Sequence, residues 1–340
     1  MPTRKDVARR AGVSEATVSY TLSGKRTISA ATQARVRRAM ADLGYKPHML
    51  AKALAGGGSP IIALLFPVEE RGISNADLEY VLGAASAARE LGFHLLLWPG
   101  EDRDVDDVTG LHQSGLVGGV ILMEVRLDDE RVTLLHDAHV PLALIGRTAT
   151  DQGDVPFADR DFAGAAALAV DHLAGLGHRR LGFLSGPARL ISAGYGAPSR
   201  AEQGFLAACE RHDFTGRIVP CETTIEAGRD LGIALASDPD RPTALVCLNV
   251  EATFGLTQAQ SQGGLTVPDD LSLVSLGTPE SWADSVVPAL TTVAAPAREM
   301  GRSAVRQLIA RITDSGEEAD EQQLWLGTLT PRGSSAPPRR

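Results

Sequence analysis

Lys5-Asp6-Val7-Ala8-Arg9-Arg10-Ala11-Gly12-Val13-Ser14-Glu15-Ala16-Thr17-Val18-Ser19 reads as two short helices broken by a glycine turn. Val7, Ala8 and Ala11 fall on one face at helical spacing. Gly12 reaches a positive-φ turn at little cost. Ser14 suits an N-cap, and Glu15 in the first turn suits the helix dipole. The first helix is expected over 3–11 and the second over about 15–22, with Val18 and Leu22 inward. Ser23-Gly24-Lys25-Arg26 is a loop. Ser29 caps a third helix over about 30–43, with Val36, Ala39, Met40 and Leu43 inward, and Gly44 ends it. Three short helices with a tight glycine turn between the first two match helix-turn-helix geometry. In that geometry the second helix enters the major groove and offers its N-terminal side chains to base edges. A plain three-helix bundle with solvated arginines is the alternative that the pattern alone leaves open.

The charge distribution favours the DNA-reading alternative. The chain of 340 residues has a net charge of −9, which taken whole argues against nucleic acid. Residues 1–60 carry eleven lysines and arginines against three acids, a net +8, and the remainder carries −17. Every lysine lies at or before Lys52. A small basic module on a larger acidic body is the electrostatic footprint of a DNA reader with a separate regulatory domain.

Lys5–Ser19 closely resembles the opening of the lac repressor (LacI/GalR) family, and so does Asp42-Leu43-Gly44-Tyr45-Lys46-Pro47. The resemblance implies that Thr17 and Ser19 hold phosphates while Glu15, Ala16 and Tyr20 face the bases. Thr3, Ser14, Arg26, Tyr45 and His48 complete the expected DNA-contact set. The family usually has arginine where this chain has Tyr20. Arginine grips guanine with two hydrogen bonds, whereas tyrosine offers one hydroxyl and a ring that can touch a thymine methyl. The expected operator therefore differs from the family's commonest half-site. The stretch 47–55 has the composition of a short helix, too short to stand alone, and Gly56-Gly57-Gly58-Ser59-Pro60 is a linker. By the resemblance this is a hinge helix that folds on DNA, with Leu54 as a minor-groove wedge and Ala51 on the same face.

From residue 61 apolar runs alternate with helical stretches. Strands are expected at 61–66, 93–98, 117–122, 142–145, 180–184, 244–248 and 271–275. Helices are expected at about 77–90, 104–113, 129–138, 163–175, 200–211, 226–236 and 251–262. This βαβ rhythm gives parallel sheets covered on both faces. Two similar sets predict two α/β lobes with a ligand between them at the strand C-terminal ends. Leu176-Gly177-His178-Arg179-Arg180, the run 267–274 and Leu290-Thr291-Thr292-Val293 extend the family resemblance over nearly the whole chain. It implies a core like the periplasmic sugar-binding proteins.

The expected division is a helix-turn-helix domain at 1–46, a hinge and linker at 47–59 and an effector-binding and dimerisation core at 60–332. Lobe one covers about 60–159 and 288–314, and lobe two about 160–287 and 315–332. The Pro/Ser/Arg-rich segment 333–340 is expected to be a disordered tail, without the leucine heptads that would tie dimers into tetramers.

By the same resemblance Arg147, Asp159, Arg200, Asn249, Glu251 and Thr278 are expected effector contacts, the alternative for each being a structural role such as a buried Arg–Asp pair that holds the lobes together. Trp98 at a strand end lies either in the cleft or in the core. Val250 and Gly277 stand where the family has aspartates, and Thr223 where a sugar-stacking aromatic is expected. These losses predict either an effector less rich in hydroxyls than a free hexose or a weakened response to sugars, unless residues such as Asp159, Asn249 and Glu251 rebuild an equivalent sugar site.

Other chemistries fit poorly. The acidic run 101–107 lacks the glycine and glutamate of a calcium loop. His172 and His178 have no metal-ligand spacing. Gly194-Tyr195-Gly196 lacks the third glycine of a dinucleotide loop, and no GxSxG elbow is present. No cofactor or enzymatic activity is expected. Three scattered cysteines and the lack of a signal peptide point to a reduced, cytoplasmic setting. The expected function is a homodimeric, sequence-specific transcription regulator, most simply a repressor, modulated by a small molecule. The competing classes are a small-molecule binding protein or sugar enzyme with an incidental head, and a regulator controlled by a protein partner.

Overall fold

A computed structural model describes residues 2–23, 26–45, 58–67, 75–100, 105–149, 155–315 and 321–339. The head is three helices, α1 (Arg4–Ala11), α2 (Glu15–Ser23) and α3 (Ala30–Leu43). Thr3 caps α1 in a reciprocal box: its amide donates to Asp6 Oδ2 at 2.9 Å, and the Asp6 amide donates to Thr3 Oγ1 at 3.3 Å. Gly12 (φ 64) and Gly44 (φ 61) end α1 and α3 in the left-handed conformation that glycine adopts freely. Val7, Ala8, Ala11, Val18, Val36 and Ala39 form the small buried core.

The body is two α/β lobes. The first sheet runs in the order β11-β5-β4-β3-β1-β2, every neighbouring pair parallel. Its strands are β1 (Ile61–Phe66), β2 (His94–Pro99), β3 (Gly119–Met123), β4 (Leu142–Ile145), β5 (Phe157–Arg160) and β11 (Gln322–Trp325). Along β1 the side chains alternate. Ile62, Leu64 and Phe66 enter the core beneath α4 (Asn75–Glu90) and α13 (Ala297–Thr313). Ala63 and Leu65 enter the core that holds α5 (Val105–Gln113) and α6 (Glu130–Asp137). A strand buried on both faces reads as an unbroken apolar run, which is why Ile61-Ile62-Ala63-Leu64-Leu65-Phe66 was legible.

The second sheet has the order β12-β10-β9-β8-β6-β7. Its strands are β6 (Leu181–Ser185), β7 (Gly216–Pro220), β8 (Ala244–Cys247), β9 (Ser272–Ser275), β10 (Thr291–Ala294) and β12 (Thr328–Thr330), only β12 antiparallel to its neighbour. The helices α7 (Phe162–Gly175) and α9 (Gly196–Arg211) pack on one face. The other face carries α10 (Ile225–Ala236) and α11 (Val250–Gln258), with the short α8 (Ala188–Ser192) and α12 (Glu280–Ala283) at the strand ends.

Three expectations are corrected. The chain crosses between lobes later than the expected boundaries: β10 pairs within lobe two and β11 within lobe one. The second and third crossings therefore lie at 295–296 and 326–327. The segment 333–339 is ordered on lobe two. Ser334 is fully buried, its hydroxyl donates to the Leu273 carbonyl at 2.7 Å, and the Leu273 amide donates to the Ser334 carbonyl at 2.7 Å. His178 Nε2 lies 2.9 Å from the Ala336 carbonyl. Polar composition signalled disorder, but the tail pairs with Ser272 and Leu273, the half of β9 that lies ahead of its pairing with β10. Finally, α9 begins at Gly196 and not at 200. Pro198 sits in its first turn, where a missing N–H leaves no helical bond unmade.

The α4–α13 contact depends on glycine. A Cβ on Gly83 would lie 1.9 Å from the Arg298 carbonyl oxygen, and one on Gly301 2.1 Å from that of Tyr80. Both obstacles are backbone, so relief requires the helices to separate. Gly301→Val is expected to destabilise the protein by about 1–3 kcal/mol or more, as overpacking does. A denaturant midpoint unchanged from wild type would contradict this close approach.

Candidate DNA-reading helix and interlobe cleft

On α2, Glu15 and Ala16 are exposed at the first turn, Thr17 and Ser19 are half-buried, and Tyr20 is exposed. Ser14 caps the helix, accepting from the Thr17 amide at 3.1 Å, and its hydroxyl lies 2.9 Å from that of Thr17. Glu15 faces Arg4 at 3.8 Å. The Arg26 guanidinium stands 5.9 Å from the centre of the Tyr20 ring. Tyr45 packs against the head core, while Thr3 serves α1 as its cap. His48, Ala51 and Leu54 lie outside the described residues.

Between the lobes, at the C-terminal ends of both sheets, is a cavity of about 500 Å³. Its geometry follows from the parallel strands, which all deliver their following loops to the same side. Asp159, Arg200, Asn249, Glu251 and Thr278 line it. Trp98 does not: on the edge strand β2 it shares a face with Leu96 and packs with it against the lobe-one core. Arg147 also lies off the cavity wall, its Nε 3.3 Å from Asp159 Oδ2.

Asp159 is buried at the end of β5. Arg200 Nη1 lies 3.7 Å from its Oδ2, and its Oδ1 accepts from the Arg160 amide at 2.8 Å. Burial raises the Asp159 carboxyl above its ordinary range, against the opposing charges of Arg200 and Arg147. Its Oδ2 accepts no hydrogen bond among the described residues. Asn249 is more committed. It caps α11 by accepting from the Ala252 amide at 3.2 Å, and its Nδ2 donates to the carbonyls of Cys221 at 3.0 Å and Glu222 at 3.3 Å. The Thr278 hydroxyl pairs with that of Ser275 at 2.8 Å.

Sequence reading missed Arg160, Tyr80, Phe162 and Glu124, all on the cavity wall. Arg160 donates to the carbonyls of Leu276 and Val293, joining β5 of lobe one to lobe two. Its guanidinium lies 5.2 Å from the Phe162 ring centre. Burial first, then nearby carboxylates, pushes the Tyr80 hydroxyl up to about 12 despite the Arg160 charge, so it stays a donor at neutral pH. The one available signal was Asp159-Arg160-Asp161, three charges at the end of a buried stretch, which is rare unless the charges are paired.

Val250, Gly277 and Thr223 do line the cavity, as expected. Carboxylates also reach the same space from other elements, Asp77, Glu79, Glu124 and Glu251, so groups that could rebuild a hydroxyl-binding site stand beside those three positions. The rings of Tyr80 and Phe162 supply apolar faces from lobe one and the first crossing.

Residues 3–48 match the family described as bacterial regulatory proteins, lacI family, and residues 170–335 match the periplasmic binding protein-like domain. The chain is 30% identical to the HTH-type transcriptional regulator AglR of Rhizobium meliloti (strain 1021), over 98% of this chain and 94% of that protein. In structure it is similar to the lac repressor dimer bound to operator and the anti-inducer ONPF, with a TM-score of 0.81 at 24% identity, covering 98% of this chain and 99% of that one. It is also similar to the transcriptional regulator CelR–cellobiose complex, with a TM-score of 0.68 at 25% identity, covering 98% and 100%.

Proposed function

The chain belongs to the lacI family of bacterial regulatory proteins, and from that premise we propose that it grips a two-fold symmetric operator as a homodimer and that a small molecule between its lobes modulates the grip. It is a DNA-binding transcription regulator with a helix-turn-helix head and a two-lobed α/β core. The observation that carries the regulated reading is the cavity of about 500 Å³, walled by both lobes. A ligand there touches both halves, so it can favour one lobe arrangement over another. The relatives are regulators, and we read this chain too as acting by binding and not by catalysis.

Exposed apolar side chains support the dimer. Leu78 and Leu82 stand one turn apart on α4, Leu97 lies on the edge strand β2, and Trp282 stacks on Phe254 with ring centres 6.3 Å apart. Leu78, Leu82 and Leu97 lie on neighbouring elements of lobe one and are the proposed centre of the dimer contact. Glu15, Ala16 and Tyr20 are the proposed base readers, with Thr17, Ser19 and Arg26 beside them. The effector is proposed to be a hydroxyl-bearing small molecule such as a glycoside. Asp159 Oδ2 and the carboxylates of Glu124 and Glu251 would accept from its hydroxyls, the Tyr80 hydroxyl would donate, and Phe162 would offer a ring face. The crystallised complex of CelR with cellobiose supports this class. A thermal-shift screen against sugars and glycosides tests it: stabilisation by at least one that also changes operator affinity is expected. Stabilisation confined to ligands without hydroxyl groups would contradict it.

Tyr20→Arg is expected to move preference towards a guanine in each half-site, by about 1–3 kcal/mol per base pair. Selection from random DNA with both proteins checks this. Identical selected motifs would remove Tyr20 from the base-reading set.

A further inference from the structure

The crossings are not the only ties between the lobes. After β3, residues 124–128 of lobe one reach the N-terminus of α9 in lobe two. The Leu127 amide donates to the Gly194 carbonyl at 2.8 Å, and the Gly196 amide donates to the Val125 carbonyl at 3.0 Å. Between them Arg126 and Tyr195 form an antiparallel bridge, the Arg126 guanidinium 5.3 Å from the centre of the buried Tyr195 ring. Alongside, Arg200 Nη2 donates to the carbonyls of Arg147 at 2.9 Å and Thr148 at 3.0 Å. These contacts join the lobes through backbone groups and need no ligand.

The lobe-one side is held rigid from below. Asp129 and Arg131 form a buried ion pair at 2.7 Å. Asp129 Oδ2 also accepts from the Arg126 amide at 3.0 Å, and Arg131 Nη2 donates to the Glu124 carbonyl at 2.9 Å. Glu124 has φ 55, an uncommon angle for a residue with a side chain, which persists only when its surroundings fix it. On the lobe-two side Gly194 has φ 80, and a Cβ on Gly196 would lie 2.5 Å from Arg200 Nη1 and 3.1 Å from the Val125 carbonyl oxygen. Glycine is thus what lets the two backbones meet.

We propose that residues 124–129 and 194–196, with Arg200, form a latch that fixes how the two lobes sit beside the cleft through protein groups alone. An effector then acts by strengthening or breaking this tie as well as by filling the cavity. The uncommon backbone angle of Glu124 on the lobe-one side makes the bridge an element with two states, made or broken, that a ligand touching Glu124 and Arg200 can bias.

Hydrogen exchange read by mass spectrometry on the full-length protein, without DNA or any added small molecule, tests the latch. Peptides spanning 124–128 and 194–197 are expected to exchange slowly in the wild type. In Gly196→Val, where the new side chain wedges the lobes apart, and in Arg126→Ala, they are expected to exchange at least ten-fold faster, with peptides of β3 and β6 unchanged. If Gly196→Val loses protection throughout, Arg126→Ala, which adds no bulk, decides. Wild-type exchange as fast as in exposed loops, or no local acceleration in Arg126→Ala, would overturn the proposal. Neither outcome depends on operator or effector identity, so the regulated reading stands or falls separately.

Discussion

A chain shortened to begin at Gly58, so that Ser59 keeps its contacts with Leu116 and Ile61, is expected to lose operator binding, by at least about a thousand-fold, the usual gap between specific and non-specific affinity. The removed residues carry +8, and the remaining body carries −17, so the truncated protein repels DNA as well as lacking the reading helix. The two sheets and their cores draw no residue from the head. The shortened chain should therefore keep its circular-dichroism signal and thermal midpoint for the core. Fluorescence anisotropy on labelled operator reads the loss. Retained affinity would mean that the acidic body holds DNA, and the division of labour would be wrong. Full-length binding should also weaken steeply with salt as counterions are released.

The second large effect concerns stability. Asp129→Ala removes the partner of Arg131 where both side chains are essentially without solvent contact, 0% and 1% exposed. Breaking a buried pair leaves an uncompensated charge and typically costs about 3–5 kcal/mol. Asp129 is also the N-cap of α6 and the acceptor of the Arg126 amide, so the loss falls on the latch as well. Burial pushes the Asp129 carboxyl up, but hydrogen bonds and charge from Arg131, with the amides of Arg126 and Arg131, outweigh it and leave it below its ordinary range. A depressed folded-state value means that the contribution is complete above the ordinary carboxylate pKa and is lost as pH falls through the folded one. The wild type's advantage over Asp129→Ala should thus be full at neutral pH and shrink only in acid. Equal denaturant midpoints at neutral pH would contradict the pair's role.

Legibility in the sequence followed the physics of each element. The head was readable because its signals are local: Gly12, Ser14, Ser29 and Gly44 each act on their own turn. Central strands such as β1 and β8 were readable because burial on both faces demands continuous apolar residues. Phe157-Ala158-Asp159-Arg160 was not, because two of the four residues of β5 are charged and are tolerated only through partners far away in sequence. β10 was missed because Thr291-Thr292-Val293-Ala294 is half threonine and shows no apolar run, and β12 has only three residues. The cleft was legible in position but not in composition. Asp77, Glu79 and Glu124 reach it from helix and loop positions that no spacing connects, and Trp98 shows that a strand-end aromatic can turn into the core instead. The tail misled because its polar, small and proline residues look solvated until the stretch Ser272–Leu273 that β10 leaves unpaired is known.

The most direct measurement is selection of bound sequences from random double-stranded DNA by the full-length protein. A dimer reading through two α2 helices predicts one enriched motif with two-fold symmetry, its half-sites separated by about one helical turn or less. Recovery of no enriched sequence, or of a single asymmetric site with no second half, would contradict it.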